Sequence, residues 1–354
     1  MSLKTMRFNK GEWSELYTFL YLMENPNLNI VDEKLKVVDE NTFKILEIIL
    51  NENSYKIHDD VVIKTLNNNL VKKYNITYIS KEKRVLLQKI QSHTKAKGSF
   101  NILEVETLIN DLLDGKKFKG SSNVKGDLNA NVSDNKYNRV VNLSYNIKSN
   151  LGSSATLLNA SNNTNFIYEI TNIDDDIMNY NNSINGRKKL LDRCQFLNDN
   201  KFKINFISTE KNVFGYNLKL IDSNLDKILA EMLYLSYSKN EKDIQKLLLL
   251  ISKDEDEQKF YMKKMSDFTN AVTFGMKAGQ KWNGINEVNG GILLVNKVGK
   301  VYLLDLVYYS EIVNKYLIDN IKLDSPSSSR YKMFDIYKEN NKYYFKLNLQ
   351  IRFK

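Results

Sequence analysis

Residues 127–132, Asp-Leu-Asn-Ala-Asn-Val, and residues 143–148, Leu-Ser-Tyr-Asn-Ile-Lys, decide the fold of this chain. In both stretches apolar and polar side chains alternate, which is the period of a β-strand with one buried face. A turn-like segment at residues 133–136 lies between them, so the two strands are predicted to form an antiparallel hairpin. With the turn centred near residues 136–138, this pairing sets Asp127 about opposite residues 146–148 on one polar sheet face.

That polar face has the layout needed for metal-assisted hydrolysis of a phosphodiester. Asp127 offers a hard oxygen ligand for Mg²⁺, and Lys148 is placed to orient the attacking water and to neutralise charge growing on the phosphate. An exposed polar sheet face that carries an Asp and a Lys by chance gives the same spacing. The hairpin alone leaves both interpretations open.

Composition excludes several other classes of protein. The 354 residues include 52 Lys+Arg against 42 Asp+Glu, with only two His and one Cys. An internal disulfide, a zinc finger and a His-rich metal site are therefore excluded, and the net charge of +10 favours a polyanionic partner. No ATP-binding G-x-x-x-x-G-K-[ST] motif is present, and the sequence lacks the catalytic motifs of a DNA methyltransferase. The absence of an 18-residue apolar run and of a signal core predicts a cytoplasmic protein without a membrane segment.

The remaining patterns predict an α/β (α+β) fold, a mixed central sheet flanked by helices. Three regions are expected: a mixed N-terminal region at 1–115 that contributes a helix to the core, a region at 116–280 with the hairpin and a helical run, and a β-rich region at 281–354. Further elements are predicted from periodicity and turn residues. They are a helix at 12–23, helices at 85–91 and 102–113, a basic loop at 115–126, a surface excursion at 172–185, a basic helix at 186–196, a helical run at 222–274, a hairpin at 292–306 and a final strand at 343–353.

The final strand is a second candidate site. Its apolar face alternates with a polar face formed by Tyr344, Lys346, Asn348, Gln350 and Arg352. Asn, Gln and Arg are able to make bidentate bonds to base edges, and Lys suits phosphates or guanine. Arg330, in the Ser-rich loop before this strand, is placed to meet a guanine, a phosphate or merely an acid. The solvated outer face of a sheet has the same composition.

Five sequence blocks carry a family resemblance. The Asp127 strand is followed by YNIKSNLGSSATLLNAS (145–161) and TNFIYEI (164–170). Three more blocks keep their order along the chain: FNKGEWSEL (8–16), WNGINEVNGGI (282–292), and SPSSSR (325–330) with FKLNLQIRF (345–353). Together they resemble the HpaII-type restriction endonucleases of the PD-(D/E)xK nuclease superfamily. The resemblance implies a Mg²⁺-dependent type II endonuclease that cuts double-stranded DNA at a short C/G tetranucleotide of the CCGG kind. It also implies a cognate methyltransferase that protects the host's sites, and a palindromic target favours a homodimer.

Two departures from the superfamily pattern are visible. Asn146 stands where an acidic residue is expected two positions before the lysine, and Gly126 stands where Pro is common. A second carboxylate must therefore come from elsewhere. The G-x-x-x-E element of the first helix makes Glu15 the candidate, with Glu12 and Glu169 in reserve, although a first-turn carboxylate also offsets a helix dipole.

The polar residues around the two strands supply the expected DNA contacts. Lys125 precedes the Asp127 strand, and Ser149, Asn150, Ser153 and Ser154 follow Lys148 in a donor-rich loop suited to a phosphate. Two alternatives of other classes stay open: a non-catalytic DNA-binding protein that uses the basic surface, and a structural or RNA-binding protein from an A/T-rich genome.

Overall fold

The structure is a computed structural model that describes residues 6–93, 98–116, 118, 126–152 and 154–354. Two compact units are formed, one by residues 1–155 with 286–316 and the other by residues 156–285 with 317–354. The hairpin of Asp127 and Lys148 thus shares its unit with the N-terminal strands rather than with the helical run at 222–274, because its strands pair with theirs. The predicted assignment of roles to three regions stays a prediction.

Helices and strands follow one another along the chain in a mixed order. They are α1 (Lys10–Glu24), β1 (Ile30–Val31), β2 (Val37–Asp39), β3 (Phe43–Leu50), β4 (Asn53–Ile57), β5 (Val61–Leu66), β6 (Asn69–Asn75), α2 (Ile76–Ser92), α3 (Leu103–Leu113), β7 (Leu128–Asp134), β8 (Arg139–Ser149), β9 (Thr156–Leu158), a 3₁₀ turn (Asn162–Thr164), β10 (Asn165–Thr171), α4 (Asp175–Ser183), α5 (Lys189–Asp199), β11 (Lys203–Thr209), α6 (Asn212–Ile221), α7 (Leu225–Ser238), α8 (Ile244–Ile251), α9 (Glu255–Phe274), β12 (Gly291–Val295), β13 (Val301–Asp305), α10 (Ser310–Asn320), β14 (Ile321–Leu323), α11 (Ser328–Tyr331), β15 (Tyr337–Glu339), β16 (Lys342–Asn348) and β17 (Ile351–Phe353).

A mixed sheet organises the first unit. In its described residues ten strands follow the order β2-β1-β13-β12-β8-β7-β3-β4-β5-β6. The pairs β8–β12 and β1–β13 are parallel and the others antiparallel. Apolar residues from one face of this sheet and from α1, α2 and α3 form a continuous buried core. The predicted mixed sheet flanked by helices is therefore confirmed.

The first helix is well specified by its sequence. Asn9 and Glu12 form a capping box at its start, and the helix ends at Glu24, two residues before Pro26. Its apolar stripe, which includes Trp13, Leu16 and Leu20, is buried in the core of the first unit. The predicted helix at 12–23 is confirmed, and its packing against β8 brings the FNKGEWSEL block next to the hairpin.

The register of the hairpin is fixed at both ends. At the turn, Asp134 pairs with Arg139, and the buried Asp134 carboxylate accepts hydrogen bonds from the Arg139 Nε (3.1 Å) and from the Tyr308 hydroxyl (2.6 Å). At the far end Leu128 pairs with Tyr145. A slip of one residue would turn each polar side chain toward the core, so this register sets which residues share the polar face.

The carboxyl end of α3 is held by side chains from β4, β5 and β6. The Lys64 Nζ donates to the Asp111 carbonyl (3.0 Å) and to the Asp114 carboxylate (2.6 Å), and the hydroxyls of Tyr55 and Tyr74 donate to the Leu112 and Asp111 carbonyls. These bonds satisfy carbonyls that a helix end leaves without intrahelical donors. Although partial burial acts to raise the pKa of Asp114, hydrogen bonds from Lys64 and Asn53 hold it below its usual value.

We expect Lys64→Met to lower the free energy of unfolding by about 2 kcal/mol, because charge-assisted hydrogen bonds from a buried ammonium are lost. Lys72→Met is the matched control, since exposed Lys72 pairs with Asp111 at the same helix end and should cost less than about 0.5 kcal/mol. Denaturant unfolding measures both. Equal losses in the two variants would contradict the role assigned to burial.

The second unit holds two smaller sheets. In its described residues one has the order β11-β10-β16-β15 and the other β14-β17-β9. The predicted final strand at 343–353 is therefore wrong as a single strand. Its first part, β16, belongs to the four-stranded sheet and its last part, β17, to the three-stranded one, because the ladder passes from one sheet to the other at residues 349–350.

Two helical predictions need correction. The excursion expected at 172–185 contains α4, which the side chain of Asp174 caps by accepting from the Ile177 N–H (2.9 Å). The run at 222–274 consists of α7, α8 and α9. Asp243 and Asp254 are the N-cap residues of the second and third of these helices, so a new helix begins directly after each of them.

Candidate active site

Asp127 lies at the entrance to β7 and is held against β8. Its backbone N–H donates to the Tyr145 carbonyl (2.8 Å), and its Oδ2 accepts from the Ile147 N–H (2.9 Å). Because these two bonds lie on either side of Asn146, Asp127 is directly opposite that residue. Asp127 and Asn146 are 8% and 3% exposed, so both side chains are largely shielded from solvent at the sheet.

Ser144 and Asn289 fix the approach of the chain to Asp127. The Asn289 Oδ1 accepts from the Ser144 N–H (2.8 Å), and the Gly290 N–H donates to the Ser144 carbonyl (2.8 Å). A Cβ at residue 126 would lie 2.1 Å from the Ser144 Oγ. Glycine at 126, where the superfamily often has Pro, therefore leaves room for this serine. Asn289 lies within the WNGINEVNGGI block, which was its only signal in the sequence.

Lys148 follows Asn146 at an interval of two, so both side chains project from one face of β8. Lys148 pairs with Leu294 of the parallel strand β12 and is half-buried. The strand ends one residue later, where the Ser149 Oγ accepts from the Leu151 N–H (3.1 Å) and the Asn150 N–H donates to the Val295 carbonyl (2.9 Å). The described start of the predicted loop, residues 149–152, is thus a turn held by these hydrogen bonds.

The start of α1 lies beside this turn. A Cβ at Gly152 would be 3.0 Å from the Lys10 Cδ, which places the first turn of α1 next to the end of the Lys148 strand. Glu15 lies on this helix and is half-buried. Of the reserve carboxylates, Glu12 accepts from the Asn9 N–H (2.7 Å) in the capping box, and Glu169 of β10 pairs with Lys342 (2.9 Å).

The donor set of the hairpin fits a hard divalent cation. Asp127 supplies a carboxylate and Asn146 an amide oxygen, and these are oxygen ligands of the type that Mg²⁺ takes while it keeps several waters. Within the described residues no group of three or more His, Cys, Asp or Glu side chains is arranged to hold a metal ion.

The predicted DNA contacts of the final strands lie in the second unit. Asn348 is fully buried and donates to the Ser161 carbonyl and the Asn165 side chain, and Gln350 is 8% exposed. Lys346 pairs with Glu210 (2.6 Å) and Arg352 with Asp324 (2.9 Å), so both cations already have carboxylate partners. A polar face of regular alternation is not formed, because the strand breaks at 349–350.

Arg330, the remaining predicted contact of this region, is exposed. Its guanidinium lies 5.9 Å from the Tyr331 ring centroid in the short helix α11. In the first unit, Ser154 is half-buried directly after the turn that follows Lys148. Lys125 and Ser153 lie outside the described residues, so their predicted contacts with DNA stay predictions.

Asp305, the last residue of β13, is a buried carboxylate that sequence reasoning passed over. It accepts from the N–H groups of Val307 (3.1 Å) and Tyr308 (2.8 Å), and burial raises its pKa. Asp305 pairs with Gly291 of β12, and Gly291 pairs in turn with Tyr145 of β8. The three residues therefore lie in one row across the sheet. The role of Asp305 is therefore to hold the turn between β13 and α10 through these hydrogen bonds. Nothing in the sequence distinguished it from an exposed acidic residue.

The fold is consistent with a restriction-endonuclease-like core: a mixed sheet flanked by helices, with an aspartate at the head of one strand and a lysine on its antiparallel neighbour. Comparison with known proteins specifies the family. The family model described as HpaII restriction endonuclease matches residues 9–353. The type II restriction enzyme HpaII of Haemophilus parainfluenzae is 33% identical over an alignment of 358 positions, which covers 98% of this chain and 98% of the relative. No solved structure matches the chain.

The chain therefore belongs to the HpaII restriction endonuclease family. It is a type II restriction endonuclease, a site-specific deoxyribonuclease whose substrate is DNA, and enzymes of this class use divalent metal ions. The family predicted from the five sequence blocks is confirmed. In the described part of the chain, no helix is both long and apolar enough to cross a membrane.

Proposed function

We propose that this enzyme is Mg²⁺-dependent and cleaves double-stranded DNA at a short C/G tetranucleotide of the CCGG kind. The observation that supports the proposed catalytic residues is the hairpin register. In this register Asp127 is held opposite Asn146, and Asn146 precedes Lys148 by two residues on the same face of β8. The target is proposed from the family, since the relative in Haemophilus parainfluenzae covers the chain from end to end.

In the proposed mechanism each hairpin residue has one task. Asp127 and Asn146 would hold the metal ion, and the bond from the Ile147 N–H to Asp127 fixes the direction of that carboxylate. A divalent ion held there would supply a water of lowered pKa and positive charge for the phosphate. Lys148 orients the attacking water and neutralises charge on the phosphate oxygens, which an ammonium does most strongly in a partly desolvated site. We expect the loop at 149–154 to contact the DNA backbone phosphate next to the cleaved bond. Lys125 is expected to contact the backbone of the same DNA strand.

Glu15 is the proposed second carboxylate. We expect Glu15→Gln to lower the cleavage rate by more than about 100-fold and to raise the Mg²⁺ concentration needed for half-maximal rate, because a lost ligand weakens both binding and alignment of the ion. Rates measured across a Mg²⁺ titration test this. Glu12→Gln is the matched control on the same helix, since its carboxylate closes the capping box and should cost stability only. Full activity in Glu15→Gln would place the second ligand elsewhere.

The cellular setting follows from the same proposal. A methyltransferase of matching specificity protects the host's own sites, the protein acts in the cytoplasm, and two copies related by a two-fold axis read a palindromic target. For base readout we keep Arg330 and, once their present partners are released, Lys346, Asn348, Gln350 and Arg352. The exposed guanidinium of Arg330 is the most accessible of these groups.

Digestion of unmethylated plasmid by the purified protein tests the proposal. Discrete fragments in Mg²⁺, with ends that map to one tetranucleotide, are the expected result, and CCGG-methylated plasmid is the matched control. Binding with salt-sensitive affinity but without cleavage would favour the non-catalytic DNA-binding alternative. Fragments that end at an unrelated sequence would overturn the proposed target while leaving the nuclease assignment intact.

A further inference from the structure

A cationic cavity in the second unit has no part in the function described above. Its volume is about 420 Å³, and it lies between the start of α5, the end of α7 and the Ser-rich loop before α11. Four basic residues line it, namely Arg187, Lys188, Lys189 and Lys242. Among the described lining residues there is no Asp or Glu, so no carboxylate that lines the cavity neutralises these four positive charges.

Lys242 is the unusual member of this group. Its Nζ is buried, lies 4.1 Å from the Tyr237 ring centroid and has no hydrogen-bond acceptor among the described residues. Burial lowers the pKa of Lys242 to about 8, against the opposing effect of the Asp324 charge. Asp324 itself pairs with Arg352. An ammonium that is desolvated in this way gains most from an anion that brings its own oxygen acceptors.

The other lining groups are donors of the kind that phosphates accept from. Ser325, Ser327 and Ser328, whose hydroxyls are able to donate, line one side. On the other side Lys188 is the N-cap residue of α5 and makes no side-chain capping bond, so the first N–H groups of that helix add to the positive potential. Hydroxyls, ammonium groups and a guanidinium around one concave surface are the set found at phosphate sites.

We propose that this cavity binds a phosphate group, with Lys242 at its base and Arg187, Lys188 and Lys189 at its rim. The phosphate is supplied either by the backbone of bound DNA or by a free phosphate or mononucleotide. Only the first of these sources rests on the proposed function. The cavity thus gives a use to the basic helix start and to the SPSSSR loop, neither of which the catalytic hairpin explains.

Thermal unfolding of the full chain, in phosphate and in chloride of equal ionic strength, tests the cavity without reference to cleavage. We expect phosphate to raise the melting temperature of the wild type, and the triple variant Arg187→Ala, Lys188→Ala, Lys189→Ala to lose the specific part of that rise. Lys242→Met, which keeps the packing against Tyr237, should lose it as well. Non-specific stabilisation by phosphate acts on all variants equally and is therefore subtracted by the comparison.

The matched control removes the same charge elsewhere. Lys253, Lys259 and Lys263, in and just before α9, are more than two-thirds exposed, and their triple Ala variant should keep the wild-type rise. If the cavity variants keep it too, the phosphate site is overturned.

DNA binding in Ca²⁺ over a series of salt concentrations then identifies the source of the phosphate. The measured quantity is the slope of the logarithm of the DNA association constant against the logarithm of the salt concentration. If the magnitude of this slope decreases by about one or two in the cavity triple variant and not in the control, the site binds backbone phosphates. An unchanged slope combined with a lost phosphate response assigns it to a free phosphate or a mononucleotide. Absence of cleavage by the wild type would refute the proposed function but would leave the melting-temperature comparison valid.

Discussion

Lys148→Ala and Asp127→Asn should each lower the rate of DNA cleavage by about 10³-fold or more, while specific binding measured in Ca²⁺ stays within a few fold of the wild type. The two variants act on different parts of the reaction. In the proposed mechanism, Asp127→Asn removes the charge of the main metal ligand, and Lys148→Ala removes the ammonium that orients the attacking water and neutralises charge on the phosphate. Single-turnover cleavage of a short duplex measures the rate, and a gel shift with the same duplex measures the binding.

Controls separate catalysis from folding in this experiment. Asp127→Asn keeps an oxygen at the position that accepts from the Ile147 N–H, so the hairpin should stay intact. Lys300→Ala removes an exposed lysine from the turn between β12 and β13 of the same sheet and should cleave at the wild-type rate. Turnover at the wild-type rate in either active-site variant would refute the assignment of the hairpin as the active site. Loss of binding together with cleavage would point to a binding role for that residue.

The hairpin was predictable because its signal is local. Alternation of apolar and polar residues fixes which face is buried, and the turn residues fix the pairing, so the relation between Asp127 and Asn146 follows from counting along two strands. The capping box of α1 and the stop before Pro26 are local in the same sense. The family blocks then identified the chemistry, which the spacing of one Asp and one Lys left open.

The break in the final strand was not predictable from its alternation. Residues 343–353 alternate without interruption, yet the chain changes sheets at 349–350 because different partners compete for its two halves: β10 pairs with β16, while β14 and β9 pair with β17. Strand pairing between distant segments carries no signal in a single stretch of sequence. The same limit applies to Asn289, whose bond to Ser144 joins positions 145 residues apart.

Gly291 is the position beside the active-site strand where a substitution should cost most. Its φ is +122°, and a Cβ built there would lie 2.1 Å from the Leu304 carbonyl oxygen. The clash is with backbone on the neighbouring strand β13, so no side-chain rotation relieves it. Gly291→Ala should therefore lower the free energy of unfolding by about 4 kcal/mol, the combined cost of a strained backbone and an overfilled contact.

The expected loss extends to catalysis because of where Gly291 pairs. It is opposite Tyr145 in the parallel ladder, three positions from the pair of Leu294 with Lys148. Because β12 lies between β13 and β8, it cannot move away from β13 without pressing against β8 or shifting along it. We expect a lower melting temperature together with slower cleavage by the fraction that remains folded. Gly152→Ala is the control, since its nearest neighbour is the flexible Lys10 side chain and its φ is not positive; it should change stability by less than about 0.5 kcal/mol. A Gly291→Ala protein as stable as this control would show that the β12–β13 contact yields easily, and the close pairing around β8 would then lose its assigned role in holding Lys148.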